Sequence, residues 1–185
     1  MDTQTKTSRF IILIPHRDAL KPIGEYQKKL FSIGLAGACS FPMAAPLAAV
    51  SRPFSRDELK GLGRNIRASA KCSDGKISSS GTALAGFPEK FSLFGLLLDL
   101  HIEESLFNPS AKNKVLFTFS PPVLCAALLA SEEKPVSEEG PFLSFRAASL
   151  ANLAIRPLDR GARPYSLEWK ISPPVWLPKH TKNME

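Results

Sequence analysis

Apolar residues along this chain switch between two periods. Arg9-Phe-Ile-Ile-Leu-Ile-Pro15 is a β-branched run closed by proline, which predicts a buried first strand. The spacing then becomes helical. Leu20, Ile23, Tyr26 or Gln27, and Leu30 share one face, Glu25, Lys28 and Lys29 take the other, and Gly34 and Gly37 end the segment. Pro46-Leu-Ala-Ala-Val50 predicts a second strand of small residues. Ser55-Arg-Asp-Glu58 reads as a capping box: the serine hydroxyl accepts from the amide three residues on, and the glutamate reaches back. Leu59, Leu62 and Ile66 form the buried stripe of the helix it starts, with Lys60, Arg64 and Arg67 exposed.

Beyond residue 80 the pattern is mostly that of strands. Thr82–Phe87 and Phe91–His101 predict two strands around a turn at Pro88-Glu-Lys90. Leu93–Leu98 is continuously apolar, as in a strand covered on both faces. Val115–Phe119 predicts another strand. Pro121-Pro122 suits a first helical turn, so Val123–Glu132 is expected to be a third helix. Glu132–Pro141 reads as an exposed loop. Arg146–Leu158 and Tyr165–Ile171 are expected as closing strands, Pro173–Pro178 as an extended docked tail, and Lys179–Glu185 as a frayed end. The order is β-α-β-α-β-β followed by β-α-β-β. It predicts an α+β fold: a single domain with two β-α-β lobes, about 9–100 and 101–178, in a pseudo-twofold arrangement of antiparallel sheets around a cleft.

Composition narrows the function classes. The chain has 185 residues, 44% of them hydrophobic and 22% charged, which excludes wholesale disorder and coiled coil. The net charge of +7 lies wholly in the first half: residues 1–92 hold 14 basic and 7 acidic side chains, and residues 93–185 hold 10 of each. Such a bias points to an anionic partner, although much of it falls on the exposed faces of two helices. Cys39, Cys72 and Cys125 form no CxxC and cannot all pair, which argues against a disulfide framework or a cysteine zinc site and favours a reducing compartment. Leu30–Ser51 is uncharged and long enough to span a bilayer, but it contains Gly34, Gly37, Pro42 and Pro46. The stretch from Lys28 to Cys39 has the look of a lipoprotein signal, yet the segment before it is too long and carries its own apolar strand. A cytoplasmic protein without a membrane anchor is expected.

This layout resembles the 2H phosphoesterase superfamily, the 2′-5′ RNA ligase and cyclic phosphodiesterase group. The resemblance rests on the strand Phe10–Pro15 before a long helix and the strand Ala44–Val50 before the capped helix Ser55–Arg67. It rests also on Phe117-Thr-Phe-Ser-Pro-Pro-Val-Leu124 and on the strands Phe145–Leu158 and Tyr165–Ile171. It covers most of the chain, as a pattern only. The resemblance implies two His-x-Thr/Ser motifs facing each other across a cleft, the histidines serving as general base and acid on a cyclic or 2′,5′ phosphodiester. Here those positions fall on Ala45-Pro46-Leu47 and Leu150-Ala151-Asn152, so neither motif is intact. His16, His101 and His180 are all remote from them, and neither alanine nor leucine transfers a proton. The expectation is a degenerate member without catalytic residues.

The remaining candidates concern binding. One face of the strand Arg146–Leu158 reads Arg146, Ala148, Leu150, Asn152, Ala154 and Arg156, and the other face is the expected core set. Asn152 between two arginines is a candidate phosphate contact, with Arg52 completing the patch, and a nucleotide or RNA is the implied partner. The competing reading is a solvated strand face whose arginines close on carboxylates such as Asp159. His16, after the first strand, is a further ligand candidate, and an alternative reading is an active cyclic phosphodiesterase that uses displaced residues such as His16. Trp169 and Trp176 are expected as core and tail-docking anchors, His101 as a partly buried hydrogen-bonded side chain, and Tyr165 as a weak base-stacking candidate. No metal or cofactor is implied: Glu103-Glu104 and Glu132-Glu133 lack partners at ligand spacing, Gly61-Leu-Gly63 lies inside a helix, and no GxSxG elbow occurs. A third reading is a protein-interaction module whose cleft is filled by its own side chains.

Overall fold

The computed structural model describes residues 7–38, 40–66, 77–83, 92–98, 100, 102, 104–107, 114–119, 121–129, 140–141, 148–158 and 167–177. β1 (Ser8–Pro15) is the apolar run expected at the start, and α1 (Arg17–Ser32) follows it. The helix ends where glycine permits. Gly34 adopts φ 95°, its N–H donates to Phe31 O at 3.0 Å, and Leu35 N–H reaches back to Leu30 O at 3.1 Å. This pair of bonds satisfies carbonyls that the last turn leaves without partners. β2 (Ala45–Val50) and α2 (Arg56–Ile66) come next, so the long uncharged run divides into the end of α1, a turn and β2. Among the described residues no helix is long and apolar enough to cross a membrane.

The remaining described elements are strands, apart from a 3-10 turn at Glu104–Phe107: β3 (Ile77–Ala83), β4 (Ser92–Leu97), β5 (Val115–Thr118), β6 (Val123–Leu129), β7 (Ala148–Pro157), β8 (Leu167–Ile171) and β9 (Val175–Trp176). The expected third helix is β6. All seven of its residues are buried, and a short run that is apolar at every position fits a doubly covered strand as well as a helix. Pro121-Pro122 therefore leads into a strand. Residues 84–87 of the expected strand Thr82–Phe87, and His101 of the next, lie outside the described residues. The tail docks as expected, as β9 against β7, with Leu177 N–H donating to Ala148 O at 2.9 Å.

The fold is α+β, with two antiparallel sheets. The larger has the order β5-β2-β1-β7-β8, with β9 also on β7; the smaller has the order β3-β4-β6. Each sheet takes strands from both halves of the sequence. A backbone bond from Cys125 N–H to Ala44 O, 3.1 Å, ties them together. One buried cluster joins Ile11, Leu13 and Leu150 of the larger sheet to Leu59, Leu62 and Ile66 of α2. A second covers the opposite face through Phe10, Ile12, Leu153 and Ile155, with Leu93 and Leu128 of the smaller sheet. The third packs Tyr26 and Leu30 of α1 on Phe94, Ala127 and Leu129. β1 and the start of β7 are thus covered on both sides, which corrects the expectation that the Ala148–Leu150 side of β7 is solvated.

Two glycines are needed for different reasons. A Cβ on Gly95 would lie 2.0 Å from Leu124 O and 2.9 Å from Ala126 N, where β4 and β6 shift register. Nothing stands near a Cβ on Gly34, so only its left-handed backbone is at stake. Gly34→Ala should therefore cost about 1–2 kcal/mol in chemical denaturation. Gly95→Ala should cost at least about 3 kcal/mol, because backbone rather than a mobile side chain must move.

Candidate functional site

The two stretches on which the sequence resemblance places the His-x-Thr/Ser motifs lie in one sheet. β2 and β7 flank β1, each antiparallel to it and so parallel to one another. Leu13 sits opposite Ala45 on one side and Leu150 on the other; Ile11 sits opposite Ala48 and Asn152. Leu47 occupies the irregularity where the β1–β2 register shifts. The four positions share a face and a level, but β1 separates them, and two strand spacings amount to about 10 Å. They stand side by side in one sheet rather than facing each other across a gap.

Burial decides what these positions can do. Ala45, Leu47 and Leu150 are 0% exposed and belong to the cluster that packs on Phe54, Leu59 and Leu62. Asn152 is the one polar member, and its side chain is fully engaged. Phe54 N–H donates to Asn152 Oδ1 at 2.7 Å, and Asn152 Nδ2 donates to Phe54 O at 2.9 Å. The amide pairs with a backbone as a neighbouring strand would. Ser172 supports it from the other side: Asn152 N–H donates to Ser172 Oγ at 3.0 Å, and Ser172 N–H donates to Asn152 O at 2.9 Å. Asn152 therefore clamps the β2–α2 loop onto β7.

The arginines are committed in the same way. Arg52 makes a bidentate pair with Glu58, at 2.7 and 3.1 Å. Glu58 is also the capping-box residue: Ser55 N–H donates to it at 2.7 Å, and its own N–H donates to Ser55 Oγ at 3.2 Å. The Arg52 hydrogen bond comes first, and the Ser55 contacts follow, in lowering the Glu58 carboxyl from 4.5 to about 2. Arg156 is exposed and ion-paired with Glu168 on the adjacent β8, the neighbour that cross-strand register places opposite it. The sequence had pointed to Asp159, which lies outside the described residues, as do Arg146 and Tyr165. His16 is half-buried before α1, its ring 6.0 Å from that of Trp176 and remote in sequence from Asn152.

Other chemistry is scarce among the described residues. Trp169 and Trp176 are 43% and 63% exposed, which corrects their placing as buried anchors: the first lies on the terminal strand of the sheet, and β9 turns the second outward. Cys125 is buried, and burial pushes its thiol well above the ordinary range, which withholds the thiolate a nucleophile needs. No cluster among the described residues has the side chains to hold a metal ion. A shallow groove of about 400 Å³ runs along α2, lined by Asp57, Glu58, Asn65 and Leu106 among others. Its charged groups are acidic and already paired with Lys60 and Arg52, so it does not suit a phosphate. The partners Phe54, Ser172 and Glu168 were missed because each depends on register or on a loop contact. Only the Arg52–Glu58 pair had a local signal, the capping box itself.

Comparison of the chain with protein-family models, curated proteins and solved structures gives no match.

Two outcomes follow from this geometry. Asn152→Ala should lower stability by about 2 kcal/mol, since it strands both polar groups of Phe54; a free ligand-binding side chain would leave stability nearly unchanged. Glu58 releases its proton more readily in the folded chain than in the unfolded one. Its contribution should be complete above about pH 4.5 and fade as pH drops towards 2. Acid unfolding of Glu58→Gln should lack that part of the pH dependence.

Proposed function

We propose that this chain is a non-catalytic interaction module on a 2H phosphoesterase-like fold, in which the family's cleft is filled by its own side chains. The observation that carries this reading is the burial of Ala45, Leu47 and Leu150, with the Asn152 amide held by Phe54. The four positions share a face and a level but stand side by side in one sheet, so the family likeness is supported by the order of the elements and not by a facing pair of motifs. Their apolar character and burial support loss of the reaction, because proton transfer needs titratable groups within reach of a substrate. In this reading the two pseudo-twofold lobes have closed on each other, each completed by strands from the other half of the chain.

A retained nucleotide or RNA phosphate site is the weaker reading. It would use Arg52, Arg156 and Asn152, and each already has a partner that an anion would have to displace. Displacing an ion pair already satisfied in geometry returns little net energy.

Three measurements test the proposal. A 2′,3′-cyclic nucleotide should not be hydrolysed above background; turnover that His16→Ala abolishes would overturn the reading. Short RNA should show no salt-dependent affinity that Arg156→Ala removes. Leu150→Ala should destabilise by about 2–5 kcal/mol, as in a core, where a cleft residue would cost far less.

A further inference from the structure

The exposed chemistry of the larger sheet gathers on its last strand. β8 ends the sheet, and no described strand pairs with its outer side. Glu168, Trp169 and Lys170 are exposed, while Leu167 and Ile171 are half-buried against the cluster of Leu153 and Ile155. Alternation puts Leu167, Trp169 and Ile171 on the apolar face, and Glu168 and Lys170 on the face of Arg156 and Ala154. The backbone divides likewise. Ser172 N–H donates to Asn152 O, and the β7–β8 register runs unbroken from Leu153↔Ile171 to Pro157↔Leu167. The N–H and C=O groups of Lys170 and Glu168 therefore point at β7, and those of Leu167, Trp169 and Ile171 point outward.

We propose that β8 is a self-pairing edge, through which two copies of this chain join into one continuous antiparallel sheet about a twofold axis at Trp169. Only registers that set outward groups opposite outward groups can form a ladder. Centring the pair on Glu168 opposes two carboxylates, and centring it on Lys170 opposes two ammonium groups. Centring it on Trp169 gives the longest overlap and the right chemistry at every step. Leu167 meets Ile171 of the second copy, Glu168 meets Lys170, Trp169 meets Trp169, and the rest follows by symmetry. Glu168 and Lys170 then fall at non-hydrogen-bonded sites, where opposed side chains come closest and opposite charges attract. On the other face the paired tryptophans and the Leu167–Ile171 contacts extend the second cluster from one copy into the next. Pro173 and Pro174, which carry no N–H, stop the ladder just past Ile171 and keep it in this frame. A closed, isologous pair is the outcome, since each copy presents the same strand. The proposal goes beyond the functional reading above and uses none of it.

Sedimentation velocity of the full chain over a concentration series tests the proposal. Wild type should show a reversible monomer–dimer equilibrium. Lys170→Glu converts both charge pairs to repulsion and should raise the dissociation constant about tenfold. An equimolar mixture of Lys170→Glu and Glu168→Lys restores opposite charges at both sites and should form a heterodimer. Trp169→Pro removes an outward N–H without breaking a bond to β7; it should abolish the dimer, and a far-ultraviolet spectrum close to wild type checks that the monomer still folds without the indole. Glu168→Lys also loses the Arg156 pair, so if that variant does not fold the other two decide. A wild type that stays monomeric at its highest soluble concentration would overturn the proposal. So would a dimer that neither Lys170→Glu nor Trp169→Pro weakens: in the first case the exposed charges guard the edge against pairing, and in the second the interface lies elsewhere.

Discussion

The placement of β1 between β2 and β7, with apolar matter on both faces, is the constraint on which the rest of the structure depends. Phe10 and Ile12 face one buried cluster, Ile11 and Leu13 the other, and all four are withdrawn from water. A strand in that position imposes its environment on its neighbours, because residues directly opposite one another share a face. Ala45 and Leu150 are buried because they flank Leu13, and Asn152 is brought to the core boundary because it pairs with Ile11. A polar group there must find partners, since an unpaired buried amide costs about 1–3 kcal/mol. The Phe54 backbone and Ser172 supply them. The clamp between the β2–α2 loop and β7 is thus a consequence of burial rather than an independent device.

Electrostatics follows the same logic from the outside. Arg52 and Arg156 bracket the region where an anion was expected, and each has a carboxylate within its own chain. Glu58 serves twice, as helix cap and as counter-ion, and its low pKa keeps it charged over the whole neutral and mildly acid range. Much of the basic excess is borne by exposed Lys and Arg on α1 and α2, such as Lys28, Lys29, Lys60 and Arg64. The net charge is therefore spread over two helix faces rather than gathered at the expected anion site.

How much of this was legible in the sequence depended on the range of the interaction. β1, α1 with its glycine stop, the capping box and the Leu59/Leu62/Ile66 stripe are all decided within a few residues, and the structure has each of them. Val123–Leu129 was misread because a run that is apolar throughout carries no period, and only its pairing with β4 makes it a strand. The fate of Asn152 was hidden for a related reason. Its partner Phe54 is 98 residues away, and no spacing rule links an asparagine on one strand to a backbone in a distant loop. The pairing of Arg156 with Glu168 likewise required the β7–β8 register.

The larger sheet leaves few described surfaces at which to meet another molecule. The faces of the larger sheet are covered by α2 on one side and by the smaller sheet on the other, so its chemistry is displaced to the edges. The two edges are not equivalent. β5 carries one well-exposed apolar residue, Leu116, and has four residues, too few for a long ladder. β8 alternates apolar and charged residues so that its reversed sequence matches it in chemical class, and its outward backbone groups fall on the apolar positions. That coincidence needs two independent alternations, of side chains and of hydrogen-bonding groups, to be in phase with a centre of symmetry. An edge selected only to repel other strands has no need of that phase, because a single repeated charge would serve it better.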